Sequence, residues 1–243
     1  MGVQVWGSRN AVMYENGPAG QPGDAEIAVS APPATVMRAD DVDKAPAQPL
    51  RQPAVTDLGW DELNARVAAC ERCALHKGRT QTVFGTGNRA AEWLIVGEAP
   101  GAEEDAQGEP FVGRAGQLLN AMIRAVGAER EQLYIANIVK CRPPSNRNPR
   151  ADEAGSCAPF LQRKIELIQP RLILAVGRVA ANNLLGNEKT LGSMRGQVYE
   201  FSPTGTPLVV TYHPAYLLRK PSDKAKAWQD LQLAMSVSSP LAG

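Results

Sequence analysis

Four cysteines, Cys70, Cys73, Cys141 and Cys157, are arranged as a Cys-x2-Cys pair, a gap of 67 residues and a spacer of 15. A Cys-x2-Cys pair lets two thiolates reach one metal centre from a single turn while two further ligands close the site from elsewhere. A [4Fe-4S] cluster and a structural zinc both satisfy this pattern, and spacing alone leaves the choice open. Unrelated buried cysteines are the plainer reading. It is weakened because the chain has no spare cysteine, and because Cys141 and Cys157 flank Arg142-Pro-Pro-Ser-Asn-Arg147-Asn-Pro-Arg150, a loop that needs an anchor. Neither pair reads as a redox dithiol, since Cys70-Glu-Arg-Cys73 follows a helical pattern rather than following a strand and opening a helix.

A second group of polar residues follows short apolar runs. Gly97-Glu98-Ala99-Pro100-Gly101 comes after Trp93 to Val96, and His213-Pro214 comes after Leu208 to Tyr212. Asn137 interrupts Leu133-Tyr-Ile-Ala-Asn-Ile-Val139, where a buried amide costs free energy unless it is paired. Phe111 sits in Gly-Glu-Pro-Phe-Val-Gly-Arg, a loop sequence rather than a periodic apolar one.

The elements that would position these groups are four buried strands, Trp93 to Val96, Leu133 to Val139, Leu172 to Val176 and Leu208 to Tyr212. Helical patterns alternate with them over Gly116 to Val126, Ala151 to Ile168, Arg178 to Leu185 and Asp223 to Met235. Strands alternating with helices predict an α/β fold, a three-layer α/β/α sandwich with a central, mostly parallel sheet of about four strands. Ligands of such folds bind beyond the carboxyl ends of the strands, where Gly97-Glu98, Asn137, Gly177-Arg178 and His213 fall. A first helix from Trp60 toward Cys70 is expected to be capped by Thr56-Asp57.

Residues 1–56 are rich in Pro, Ala, Gly and Asp without a sustained period, and read as a flexible leader in which only Val3 to Trp6 could dock as a short strand. Residues 57–243 form one expected domain. The leader carries a net charge of −2 and the remainder +3, so the total of +1 hides a segregation. Between Asn137 and Arg150 the chain holds Lys140, Arg142, Arg147 and Arg150 and no acid. No apolar stretch approaches a bilayer span and no secretory signal pattern opens the chain, so a cytoplasmic protein without a membrane partner is expected, and it is taken to be a monomer. In that reducing compartment metal ligation is favoured over disulfides.

Taken together, Cys70-x2-Cys73, Gly97-Glu-Ala-Pro-Gly-Ala-Glu-Glu-Asp105, Pro110-Phe-Val-Gly-Arg-Ala-Gly116, Asn137 to Arg142, Cys157 and His213-Pro-Ala-Tyr-Leu-Leu-Arg219 resemble the family 4 uracil-DNA glycosylases, the iron-sulfur branch of that superfamily. The resemblance covers about residues 57 to 235 and implies a [4Fe-4S] cluster on the four cysteines. It also implies hydrolysis of the bond joining uracil to deoxyribose in single- or double-stranded DNA. Phe111 would stack on the base, Asn137 would read its pairing edge, and His213 would donate to uracil O2. Gly97 and Ala99 would line the pocket. The best-known superfamily branch has an aspartate where this chain has Ala99, so Glu98, with Glu104 second, is expected to place the attacking water. Leu217 is the expected wedge into the base stack, and Arg142, Arg147, Arg150, Arg178 and Arg219 the expected phosphate contacts. Two rivals remain: a protein that captures uracil-DNA covalently, and an inactive zinc-stabilised DNA-binding module.

Overall fold

The computed structural model describes residues 54–238, and the expected leader, with its Val3 to Trp6 strand, lies outside them up to residue 53. The described chain runs α1 (Trp60–Ala68), β1 (Thr86–Gly87), β2 (Trp93–Gly97), α2 (Ala102–Gln107), α3 (Arg114–Ala125), β3 (Tyr134–Asn137), α4 (Ala151–Ile168), β4 (Leu172–Val176), α5 (Arg178–Leu185), α6 (Leu191–Met194), β5 (Val198–Phe201), β6 (Thr206–Thr211), α7 (Pro214–Arg219) and α8 (Lys224–Val237).

One six-stranded sheet forms, in the order β1-β3-β2-β4-β6-β5. Its four central strands are parallel and match the four apolar runs, while β1 and β5 pair antiparallel at the edges. The expectation of about four strands therefore missed the edges. β1 has only two residues, and β5 exposes Val198 and Glu200, so neither carries an apolar signature.

Residues alternate between the two faces of the central strands, as a pleated sheet requires. Leu94, Val96, Tyr134, Ala136, Ile173 and Ala175 pack with residues of α1, α4, α5 and α6. Trp93, Ile95, Ile135, Leu172 and Leu174 pack with residues of α3, α7 and α8 on the other side. Both faces are thus dry, which explains the unbroken apolar runs.

Several boundaries differ from the sequence expectation. Gly59 rather than Thr56-Asp57 caps α1, its N–H donating to the Glu62 carboxylate at 3.1 Å, and Val55–Asp57 forms a separate short turn. The run Leu133 to Val139 forms a strand only over Tyr134–Asn137, although Ile138 N–H and Val139 N–H still donate to the carbonyls of Gly97 and Glu98. The sheet register sets Gly97 directly opposite Asn137 at the carboxyl ends of β2 and β3. Gly177 turns β4 into α5 at φ +100°, a conformation that strains any residue with a Cβ.

Candidate active site and cysteine cavity

Asn137 closes β3 with only 2% of its surface exposed, and its Oδ1 is buried without a hydrogen-bond partner. Such an atom is rare in a folded protein and costs about 1–3 kcal/mol when left unmet. Gly97 makes its position possible, since a Cβ there would collide with Asn137 Oδ1 and with the edge of the Phe111 ring.

Phe111 adopts φ +55°, a strained backbone for an aromatic residue. Three attachments hold it there. Arg130 donates to the Pro110 carbonyl, and Glu104 Oε1 accepts from the N–H groups of Val112 and Gly113 at 3.1 and 3.2 Å. Gly116, on the first turn of α3, lies so close to the Phe111 carbonyl that any side chain would displace it.

The Phe111 ring faces the imidazole of His213, with centroids 5.6 Å apart and planes tilted by 31°. His213 caps α7, its Nδ1 accepting from Ala215 N–H at 3.1 Å. An Nδ1 that accepts leaves the proton of the neutral ring on Nε2. Burial, with help from the Arg219 charge and against that of Glu104, lowers the His213 pKa to about 4, so the ring is neutral at physiological pH.

Phe111 and His213 line a cleft of about 460 Å³ together with Glu98, Ala99, Glu104, Arg147, Tyr216 and Arg219. Asn137 is not part of that lining but adjoins it, its Oδ1 and the edge of the Phe111 ring both bordering Gly97. Phe111 and His213 thus share the cleft, with Asn137 next to it. Burial raises the Glu98 pKa, opposed by the charge of Arg178.

Other expected site residues take different roles. Both oxygens of Glu104 are engaged by backbone N–H groups, Oε2 by Gly101 at 3.0 Å and Oε1 by the Phe111 loop, so it braces two walls of the cleft instead of presenting a free carboxylate to water. Leu217 is 1% exposed and packs in the core, which rules it out as a wedge, whereas its neighbour Leu218 is 37% exposed. On a short helix, adjacent residues point to different sides, and the Leu-Leu pair hid which one faced out. Arg147 forms a two-pronged pair with Glu153 at 2.7 and 2.8 Å, which ties the arginine loop to α4 and holds the Glu153 carboxyl down at about 2. Arg142 bonds Asn146 at 2.7 Å. Arg150 and Arg178 are exposed and line a neighbouring groove that shares Asn148 with the cleft.

All four cysteines line a second cavity together with His76, Arg79 and Lys140. Burial raises the thiol pKa of Cys73 and Cys141. Arg79, which the sequence reading passed over, donates to Cys141 Sγ at 3.2 Å and to the carbonyls of Cys70 and Ala68 at 2.7 and 2.9 Å. His76 is half-buried, and its Nδ1 bonds the Cys73 carbonyl at 2.8 Å. Lys140, which reads in sequence as one more cation of a basic stretch, is 1% exposed and points inward.

Residues 84–232 match the family model of the uracil DNA glycosylase superfamily. The chain is 44% identical over 167 residues to a type-4 uracil-DNA glycosylase of Archaeoglobus fulgidus, covering 66% of this chain and 84% of that one. It is 41% identical to the type-4 enzymes of Pyrobaculum aerophilum and Thermotoga maritima, each alignment covering 72% of this chain and 93% and 92% of those proteins. A cleft lined by an aromatic ring and a neutral imidazole, with a buried amide whose oxygen has no partner beside it, lies within the matched region, and the chain belongs to the uracil-DNA glycosylase superfamily.

Proposed function

We propose that the protein is a monofunctional uracil-DNA glycosylase of base excision repair, which hydrolyses the bond between uracil and deoxyribose and leaves an abasic site. The observation that carries this reading is the orphaned Oδ1 of Asn137 next to the cleft that Phe111 and His213 share. A base stacked inside a duplex exposes neither its pairing edge nor its glycosidic bond, so the nucleotide must rotate into the cleft. There Asn137 Oδ1 accepts from uracil N3–H while its Nδ2 donates to O4. Cytosine presents the opposite pattern at both positions and leaves both amide groups unmet.

As the C1′–N1 bond breaks, its electron pair moves onto the uracil and negative charge gathers at O2. The Nε2–H of His213 meets it. A placed neutral donor stabilises such charge by about 3–4 kcal/mol. With a pKa of about 4 the ring works as a hydrogen-bond donor rather than as an acid that gives up its proton. Water then adds to the cationic C1′, and the proton it sheds neutralises the departed uracil anion. Glu98, half-buried in the cleft wall, is our assignment for orienting that water, and Glu104 for holding the Phe111 loop. Leu218 replaces Leu217 as the residue that fills the gap in the stack.

Cys70, Cys73, Cys141 and Cys157 would hold a [4Fe-4S] cluster. In its support, all four cysteines of the chain line one cavity, and four thiolates are the usual ligand set of such a cluster. When bound, the cluster supplies a four-point cross-link between α1's end, the arginine loop and α4, and hydrolysis asks no electron of it. The uracil-containing DNA is the proposed partner, the protein acting as a monomer in the cytoplasm.

The test incubates purified, cluster-loaded protein with an oligonucleotide bearing a single uracil, then cleaves abasic sites with alkali. Strand scission at the uracil and release of the free base are expected. Intact strands would defeat the reading, and an SDS-resistant protein–DNA adduct would favour covalent capture.

A further inference from the structure

Lys140 and Lys164 are buried to within 1% of full enclosure, and among the described residues neither forms an ion pair with a carboxylate. Burying such a group without an anionic partner is costly, so a structure that keeps one gains something in return. Lys164 is held by the Phe84 carbonyl and lies 3.6 Å from the centre of the Phe84 ring. Lys140 is placed differently. It lines the four-cysteine cavity, and its Nζ donates to the carbonyl of Asn137 and, at 3.4 Å, to that of Ile138. The base-reading residue and the cysteine cavity thus share one side chain. With its Nζ on these two carbonyls, Lys140 borders the cavity that Cys141 and Cys157 also line.

We propose that Lys140 is a positioning residue that couples the cysteine-held cluster to Asn137, fixing the end of β3 so that the amide meets the pairing edge of uracil. The proposal rests on the cluster and on the reading role of Asn137. Its geometry is short-ranged: Lys140 precedes Cys141, its own carbonyl accepts from Val83 N–H at 2.8 Å, and the strand end is laced to Gly97 and Glu98 by the N–H groups of Ile138 and Val139. The cysteine loop thus meets the site at two points, at Asn137 through Lys140 and at the cleft wall through Arg147, which lies in the loop itself. Partners that orient metal ligands commonly change affinity or activity about 10- to 100-fold when removed.

The experiment compares holoprotein of Lys140→Met, Lys140→Arg and Lys164→Met with the parent. It measures bleaching of the cluster absorbance by a chelator, and kcat/KM per cluster-loaded molecule on uracil and on cytosine substrates. Expected for Lys140→Met are faster bleaching and a loss of about 10- to 100-fold in kcat/KM on uracil, with a smaller uracil-to-cytosine ratio. Lys140→Arg, which can still donate to the Asn137 carbonyl, recovers most of that ratio, and Lys164→Met keeps it. Lys140→Met with the parent's ratio, or activity that falls only in step with lost cluster, would overturn the proposal. Should Lys140→Met fail to fold, parent holoprotein labelled with 15N-lysine decides the matter. The Lys140 Nζ resonance, identified by its absence in Lys140→Arg, is expected to move when free uracil is added, and a resonance indifferent to uracil overturns the coupling. A colourless or inactive parent would instead point to failure of the glycosylase reading itself.

Discussion

The cleft and the cysteine cavity both adjoin the segment from Asn137 to Cys141, and they treat polar atoms in contrary ways. At the cleft Asn137 Oδ1 has no partner, Phe111 is strained at φ +55°, and His213 is half-buried with Nε2 free of the capping bond. Around the cysteines the polar groups are met within the protein: Arg79 holds a thiol and two carbonyls, His76 a third carbonyl, and Glu153 an arginine and a helix cap. A site that must accept and release a ligand leaves its hydrogen bonds open, while one that holds its contents permanently closes them. The strain of the first is held by Arg130 and Glu104, which bond the backbone on either side of Phe111.

The largest test of this contrast removes the open amide. Asn137→Ala is expected to keep the cluster absorbance and to lower discrimination of uracil over cytosine by about 10⁴-fold, the scale on which sites built around buried hydrogen bonds reject a mismatched base. Unchanged selectivity, measured as the ratio of kcat/KM values, would remove Asn137 from the reading role and with it the contrast.

His213 sharpens the same comparison. His213→Ala is expected to lose about 10²- to 10³-fold in kcat. Because the folded-state pKa is about 4, kcat in the parent should be level from pH 8 down to pH 6, without the step of an ordinary histidine. The stability consequence has a definite sign. Between pH 6.5 and 4 the unfolded chain binds a proton that the folded chain refuses, so stability falls as pH drops through that window, by about 3 kcal/mol for this group. Denaturant titrations of parent and His213→Ala at pH 7 and pH 4.5 should show a smaller decline in the variant.

How far such features were legible from sequence depends on what produces the pattern. The four parallel strands announced themselves because both sheet faces are buried, and α4 and α5 occupy the ranges expected from their periodicity. The edge strands left no trace, since half their residues face solvent. Asn137 stood out as a polar interruption in an apolar run. Arg79, Lys140 and the brace formed by Glu104 did not, because a charged residue is usually solvated and nothing local reveals that its partner is a distant backbone atom.

Leu217 and Leu218 offer a smaller effect with opposite signatures. Leu217→Ala opens the core between α3 and α8 and is expected to cost about 2–5 kcal/mol of stability. Leu218→Ala should leave stability within about 0.5 kcal/mol. Instead it should slow excision from a duplex more than from a single strand, where no stack needs holding open. Thermal melts beside paired kinetic assays separate the two, and a duplex defect confined to Leu217→Ala would restore the wedge to that position.

The smallest effects concern the arginines, which also divide between open and closed. Arg150 and Arg178 are exposed, so each should contribute a phosphate contact, and its replacement by alanine should flatten the slope of log K against log salt by about 0.7–0.9. Arg147 is already neutralised by Glu153 across two short bonds. Its charge is therefore offset before DNA arrives, and Arg147→Ala should change the salt slope less than either exposed arginine while loosening the loop that forms one wall of the cleft. Fluorescence anisotropy with a labelled uracil-containing strand between 50 and 200 mM salt measures all three slopes. Equal changes for Arg147, Arg150 and Arg178 would show that the Glu153 pair opens on binding, and that the loop belongs with the cleft rather than with the cysteine cavity.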